Sequence, residues 1–178
     1  MFVAYIPYIR DVIKQKTHPH IYSWFIWGLL SLLIALLQFQ KGAGFGAYVT
    51  ATAGLISMVV CFLGIRNGKK DITAADTAVL MAALIATGIW LVTKQPLTSM
   101  ILLVGAGALG SIPTIRKTWH KPHQETLFYW ALSPIRHACS IGAIASYNVV
   151  TLLNPMTLIV INGGLCLVIV MRRHNLKP

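Results

Sequence analysis

The chain has 178 residues, of which 56% are apolar and 11% are charged, whereas ordinary globular proteins carry about 25% charged residues. The apolar residues lie in long runs and the mean hydropathy is +0.69, which excludes a soluble protein and predicts an integral membrane protein. The net charge of +11 comes from basic residues in short loops and the tail. It indicates topology signals and contacts with anionic lipids, not nucleic-acid binding.

Seven apolar segments follow one another along the chain. They cover residues 1–14, 21–38, 43–65, 73–93, 97–115, 126–146 and 151–171. A helix needs about 20 apolar residues to cross a bilayer, and these runs do not alternate as the strands of a membrane barrel would. We therefore predict an all-α polytopic membrane protein with seven transmembrane helices.

The first segment is short, because only six residues precede Pro7. Measured against the spanning length, about ten residues are missing from its start. We expect either a further N-terminal stretch or a six-span arrangement with a partly embedded N-terminus.

Basic residues fall in alternate connections. Lys41 and Lys94 are on one side, Arg136 lies inside a segment, and the other twelve of the fifteen Lys and Arg residues share the opposite side. Those twelve are Arg10, Lys14, Lys16, Arg66, Lys69, Lys70, Arg116, Lys117, Lys121, Arg172, Arg173 and Lys177. The positive-inside rule makes the rich side cytoplasmic, which predicts an outside N-terminus and a cytoplasmic C-terminus in the plasma or inner membrane.

The sequence repeats itself at an offset of 106 residues. The string IPYIR, starting at Ile6, matches IPTIR, starting at Ile112, and the same offset pairs Trp24 with Trp130. Proline and tryptophan are scarce in this chain, so a match of both in one register indicates a duplication.

The duplication predicts two three-helix units of the same orientation joined by one linker helix, a 3+1+3 arrangement. The first repeat covers residues 1–66, the linker helix 67–96 and the second repeat 97–178.

Two pairs of residues that match in the repeat are candidate moving parts. Pro7 and Pro113 lie near the cytoplasmic ends of their segments, where proline could form a hinge or simply end the helix. Trp24 and Trp130 lie one turn into their helices. They could form a gate or a surface on which a sugar stacks, or they could anchor the membrane interface as tryptophan often does.

The string LGSIPTIRKTWHKPHQETLFYW resembles the PQ-loop motif of the SWEET and SemiSWEET sugar transporters and their PQ-loop relatives. In that motif a Pro-Gln near the end of the first helix of the repeat precedes a basic stretch and an aromatic-rich second helix. Here the glutamine position holds Tyr8 in one half and Thr114 in the other. The resemblance also implies the 3+1+3 arrangement, the outside N-terminus and transport of a small polar solute.

Asn162 in the last segment resembles the asparagine that contacts substrate in the third helix of SWEET-like repeats. An amide both donates and accepts hydrogen bonds, and leaving it unpaired in lipid costs several kcal/mol, so it should face the bundle interior. A hydrogen bond between helices is the alternative. The first half has Ile56 at the matching position, with Ser57 next to it and Thr52 nearby as further candidates.

Arg136 lies near the middle of the sixth segment, beside His137 and two residues after Pro134, and no segment holds a carboxylate to pair with it. An arginine at mid-bilayer costs about 2.5–3.5 kcal/mol even on the lenient insertion scale and is by default a functional hypothesis. Arg136 could bind an anionic solute or carbonyls freed by Pro134. Alternatively, it could reach the membrane surface along its own aliphatic stem.

The sequence therefore predicts a SWEET-like, PQ-loop-like transporter that moves a small polar solute, such as a sugar or an anionic metabolite, by alternating access. Facilitated diffusion is expected because no intramembrane carboxylate is present. No catalytic motif or metal-ligand spacing is found, so we expect neither an enzyme nor a cofactor. The alternatives are a receptor or assembly factor of the same fold, and a vitamin transporter of the nicotinamide riboside type. Homo-oligomer formation stays open.

Overall fold

The computed structural model describes residues 2–65, 72–93 and 95–176. The predicted all-α fold is confirmed, because the described residues are mostly helical and include no strand. The helices are α1 (Phe2–Ile13), α2 (Ile21–Gln40), α3 (Phe45–Gly64), α4 (Ala74–Thr93), α5 (Pro96–Leu109), α6 (Ile112–His120), α7 (Leu127–Gly142) and α8 (Val149–Asn175), with a 3₁₀ turn at Pro122–Gln124.

Among the described residues, four helical stretches are long and apolar enough to cross a membrane. They are α2, α3, α5 continued by α6, and α8. Of the other three, α7 has 16 residues and α1 has 12, and the apolar stretch of α4 is limited to Ala74–Ile89. At about 1.5 Å per residue, α1 is about 18 Å long, against a hydrocarbon core of about 30 Å.

The two matched prolines lie in different settings. α1 continues through Pro7 without a break. Pro113 lies in the first turn of α6. The helix is interrupted just before it, at Gly110 and Ser111 between α5 and α6. A proline in a first turn removes no helical hydrogen bond, because that N–H would have no partner there. The predicted segment 97–115 is thus two helices, and the second extends to His120.

Alternate connections of the helices meet at the same end of the bundle. At one end the His18 N–H donates to the Gln124 carbonyl at 3.2 Å, and Arg172 Nε donates to the Trp119 carbonyl at 2.8 Å. At the other end the Gly46 N–H donates to the Ala143 carbonyl at 3.2 Å.

We call the end formed by residues 14–20, 116–126 and 172–176 the basic end. Eight of the described Lys and Arg residues lie in or beside it: Arg10, Lys14, Lys16, Arg116, Lys117, Lys121, Arg172 and Arg173. Lys41 is at the opposite end. Arg66, Lys69, Lys70, Lys94 and Lys177 lie outside the described residues.

The helix contacts repeat from one half to the other. α1 packs against α3 and α7, and α2 packs against α3. In the second half α5 packs against α8 and α2, and α7 packs against α8. Exchanging α1 for α5, α2 for α7 and α3 for α8 converts the first set of contacts into the second. α4 packs mainly on α5 and also on α2, outside this scheme.

Candidate solute site

A small cavity of about 40 Å³, with polar and apolar lining, lies where α1, α2, α3, α7 and α8 meet. Four of the five predicted solute-binding residues line it: Arg136, Asn162, Ser57 and Trp130. Its other lining residues include Tyr5, Trp27, Ser31, Tyr129 and His137. A volume of this size holds one or two waters, so the cavity is closed around very little space.

α7 contributes Tyr129, Trp130, Arg136 and His137 to the cavity lining. Ser133 does not line the cavity, but it follows Trp130 by three residues and precedes His137 by four. This spacing places side chains on the same face of a helix. Ser133 and His137 are buried, and α7 turns this face towards α8 and α1.

Ser133 joins the two residues that the sequence singled out. Asn162 Nδ2 donates to Ser133 Oγ at 2.9 Å, and Arg136 Nη2 donates to the same oxygen at 3.2 Å. Arg136 Nη2 also donates to His137 Nε2 at 2.9 Å. Because a guanidinium has only donors, His137 Nε2 is the acceptor. Asn162 thus makes the hydrogen bond between helices and lines the cavity at the same time.

The Arg136 guanidinium lies against aromatic rings inside the bundle. Its central carbon is 4.8 Å from the centroid of the Tyr5 ring and 6.0 Å from that of Tyr129, within the range of cation–π attraction. Arg136 Nε and Nη1 are buried, and within the described part of the chain neither has a hydrogen-bond partner. The side chain therefore keeps two free donors.

Ser57 and Thr52 differ in where they lie. Ser57 lines the cavity, and its hydroxyl donates to the Ala53 carbonyl at 2.8 Å. Thr52 is not among the residues that line the cavity, and its hydroxyl donates to the Tyr48 carbonyl at 2.7 Å. Five residues along a helix amount to about 140° of rotation at 3.6 residues per turn, so Thr52 and Ser57 point in different directions.

Six aromatic residues form a block beside the cavity: Tyr5, Tyr8, Trp24, Trp27, Tyr129 and Trp130. Ring centroids are 4.9 Å apart between Tyr8 and Trp24 and 6.0 Å apart between Trp27 and Trp130. Trp24 and Trp130 are 0% and 1% exposed. Neither ring is available to the membrane interface, so the anchoring role considered for them does not fit this structure.

Glu125 is buried at the basic end, directly beside the aromatic block, with 1% exposure. Its carboxylate accepts hydrogen bonds from Trp130 Nε1 at 3.0 Å, from the Tyr8 hydroxyl at 3.3 Å and from Lys117 Nζ. We call Glu125, Lys117, Tyr8 and Trp130 the Glu125 cluster. It ties the end of α1 to α6 and α7, and with the aromatic block it closes the cavity towards the basic end.

A second ionic group fastens α4 to the basic end. Asp76 in the first turn of α4 accepts hydrogen bonds from Arg116 Nη2 at 2.6 Å and from the Thr73 N–H at 2.8 Å. His20 Nε2 is 3.3 Å from the same carboxylate. Burial lowers the pKa of His20 below its usual value, against the opposing attraction of Asp76.

Sequence reasoning missed several of these residues. Ser133 is an ordinary polar residue in an amphipathic helix, and Tyr5 lies in the short first segment, from which only Pro7 was named as a candidate. Glu125 was assigned to a loop, which is where it lies in the sequence, although it is buried in the fold. The available signal for Glu125 was its place five residues before the repeat-matched Trp130.

Comparison with protein-family models, with curated proteins and with solved structures finds no match for this chain. Across the described residues no three His, Cys, Asp or Glu side chains are grouped as metal ligands. What the cavity does offer is a guanidinium with free donors, an amide, hydroxyls and aromatic faces around one enclosed space. These groups are suited to holding a small polar solute.

Proposed function

We propose that this protein is a SWEET-like, PQ-loop-like membrane transporter that moves a small polar solute by alternating access. The observation that carries the proposal is the cavity between the two halves of the bundle, with Arg136 and Asn162 joined through Ser133 at its wall. Solute sites are concave and hold a few well-placed polar groups. In transporters built from repeats the site lies where the repeats meet.

The repeated helix contacts support the 3+1+3 arrangement. In this arrangement α1–α3 form the first unit, α5–α8 the second and α4 the linker. The match of α1 to α5, α2 to α7 and α3 to α8 is what a rotation about an axis along the membrane normal would produce. In this arrangement the chain has seven membrane segments, and the first of them, α1, covers only part of the bilayer.

The charge distribution supports one orientation. The basic end faces the cytoplasm and its anionic lipids, and the N-terminus faces the outside of the plasma or inner membrane. In this orientation the aromatic block and the Glu125 cluster lie on the cytoplasmic side of the cavity. The structure is then a state closed towards the cytoplasm.

Opening to the cytoplasm requires the basic end to separate. The hydrogen bonds from Tyr8 on α1 and Lys117 on α6 to Glu125 would both break, and Trp24 would move away from Tyr8. The interruption at Gly110 and Ser111 lets α6 tilt relative to α5, with Pro113 fixing the start of the moving helix. In the first half Pro7 has the corresponding hinge role, although α1 is continuous in this state.

Uptake into proteoliposomes tests the proposal. The purified protein would be assayed with labelled sugars, amino acids, nucleosides, nicotinamide riboside and organic acids. We expect uptake of one class, reduced at least tenfold in Asn162→Ala, because a ligand hydrogen bond is lost in a desolvated site. Thr52→Ala is the matched control, since Thr52 lies away from the cavity, and it should transport normally.

Two results would contradict the proposal at different levels. Equal uptake by the wild type and Asn162→Ala would remove Asn162 from the site. A folded, reconstituted protein that takes up no class of solute would overturn transport and favour a receptor of the same fold.

A further inference from the structure

A second and larger cavity adjoins the first at Arg136. It is a groove of about 330 Å³ between α1, α3 and α7, open on the side where Val3 and Ile135 are 67% and 58% exposed. It is lined by Val3, Ala4, Val49, Leu132, Ile135, Arg136, Cys139 and Ser140. Arg136 lines both cavities. Typical ligand pockets measure about 300–1,000 Å³, so the larger space can take the body of a small molecule.

Arg136 has no carboxylate partner among the described residues. Of the acidic residues in the described ranges, Asp11 pairs with Arg10, Asp76 with Arg116 and Glu125 with Lys117. All three pairs lie at the basic end. A buried guanidinium without a counter-charge is costly, and Arg136 Nε and Nη1 have no partner to offset that cost. An anionic ligand would supply both the charge and the acceptors.

The remaining wall of the larger cavity is mostly aliphatic. Besides Arg136, its polar side chains are Cys139 and Ser140, and the Ser140 hydroxyl already donates to the His137 carbonyl at 2.8 Å. A sugar placed there would leave most of its hydroxyl groups without partners, at a cost for each buried one. An aliphatic chain packed against Val49, Leu132 and Ile135 leaves no hydrogen-bonding group without a partner.

We propose that the ligand of Arg136 is a small aliphatic monocarboxylate. The carboxylate pairs with the Arg136 guanidinium through charge-assisted hydrogen bonds. The hydrocarbon body lies in the larger cavity against α3 and α7. This assignment rests on the proposed function only for the step of transport, because binding is testable without it.

Binding would be measured with the purified protein in uncharged nanodiscs, using butyrate and its neutral isostere butyramide at matched ionic strength. We expect butyrate to raise the thermal midpoint and butyramide to have no effect. Arg136→Gln should weaken butyrate binding about tenfold or more, since a charge-assisted pair is lost. Arg10→Gln, which removes an exposed arginine at the basic end, is the matched control and should bind normally.

A cavity-filling variant keeps the test independent of the charge. Val49→Trp leaves Arg136 in place and fills the hydrocarbon part of the larger cavity. We expect it to bind acetate as the wild type does and to lose butyrate and hexanoate. Oleate serves as a membrane-borne probe of the same chemistry: oleate binding without butyrate binding would identify a bilayer fatty acid as the source of the carboxylate.

The outcomes separate this inference from transport itself. Equal binding of butyrate and butyramide, or butyrate binding unchanged in Arg136→Gln, would overturn the carboxylate assignment. Proteoliposomes that take up a neutral sugar but neither bind nor take up carboxylates would overturn it too, and would leave the proposed function intact. Carboxylate binding that depends on Arg136, without uptake of any solute, would uphold the assignment and refute transport.

Discussion

The buried pair of Lys117 and Glu125 should be strongly coupled in the free energy of unfolding. Their side chains are 2% and 0% exposed. Lys117→Met keeps the length of the side chain but leaves the Glu125 carboxylate buried without its cation. Breaking one partner of a buried pair costs about 3–5 kcal/mol, and we expect a loss of this size for Lys117→Met and for Glu125→Gln separately.

The double variant removes both charges and therefore should not suffer both losses. We expect it to be more stable than the sum of the single variants implies, with a coupling of about 2–3 kcal/mol, the upper end for residues in one buried network. Arg10→Met is the exposed comparison. Arg10 is 62% exposed in its pair with Asp11, and such pairs contribute about 0–1 kcal/mol.

Reversible unfolding in mixed micelles, followed by far-ultraviolet circular dichroism, measures all four variants. Two results would refute the reasoning. One is strict additivity of the single losses in the double variant. The other is a loss in Lys117→Met no larger than that in Arg10→Met, which would mean that water reaches Glu125.

Two further predictions concern the basic end and the break between α5 and α6. Because burial lowers the pKa of His20, the unfolded chain takes up its proton more readily. Stability contributed by neutral His20 is therefore present above about pH 6.5 and lost as the pH falls below it. The thermal midpoint of unfolding should drop between pH 7.5 and 5.5. The drop should be smaller in His20→Gln. Gly110→Ala should destabilise by about 1–3 kcal/mol, because a Cβ there would lie 2.8 Å from Ile26 Cγ2. Gly105→Ala, with nothing within 4 Å of the added atom, should be neutral or stabilising in the same unfolding assay. An equal loss of unfolding free energy in the two variants would show that Gly110 is not tightly packed.

Hydropathy predicts where the helices run because each apolar run must pair its own backbone. The segment predicted at 21–38 is α2 at Ile21–Gln40, and the segment at 43–65 is α3 at Phe45–Gly64. The break after α5 was not predicted, since the apolar pattern passes through it without interruption. Gly110 at this break lies close to Ile26 on another helix, and that contact is not visible in the local sequence pattern.

The sequence could indicate a site residue where a polar side chain stands in an apolar segment, because burying it there costs free energy. Arg136 and Asn162 are polar in apolar runs, so their cost is visible in the sequence. Thr52 lies one turn from Ile56, the position that matches Asn162, but only Ser57 of the two candidates on α3 lines the cavity. Glu125 could not be found in this way, since its burial is produced by Tyr8, which is 117 residues away along the chain.

The difference between the halves at Arg136 restricts how this chain could have been assembled. The residue equivalent to Arg136 is Leu30, which is buried against apolar neighbours. Two copies of the second half, associated as a homodimer, would direct two guanidinium groups into one small space and repel each other. Two copies of the first half would have no cation at this position. A chain with one half of each kind places one guanidinium there.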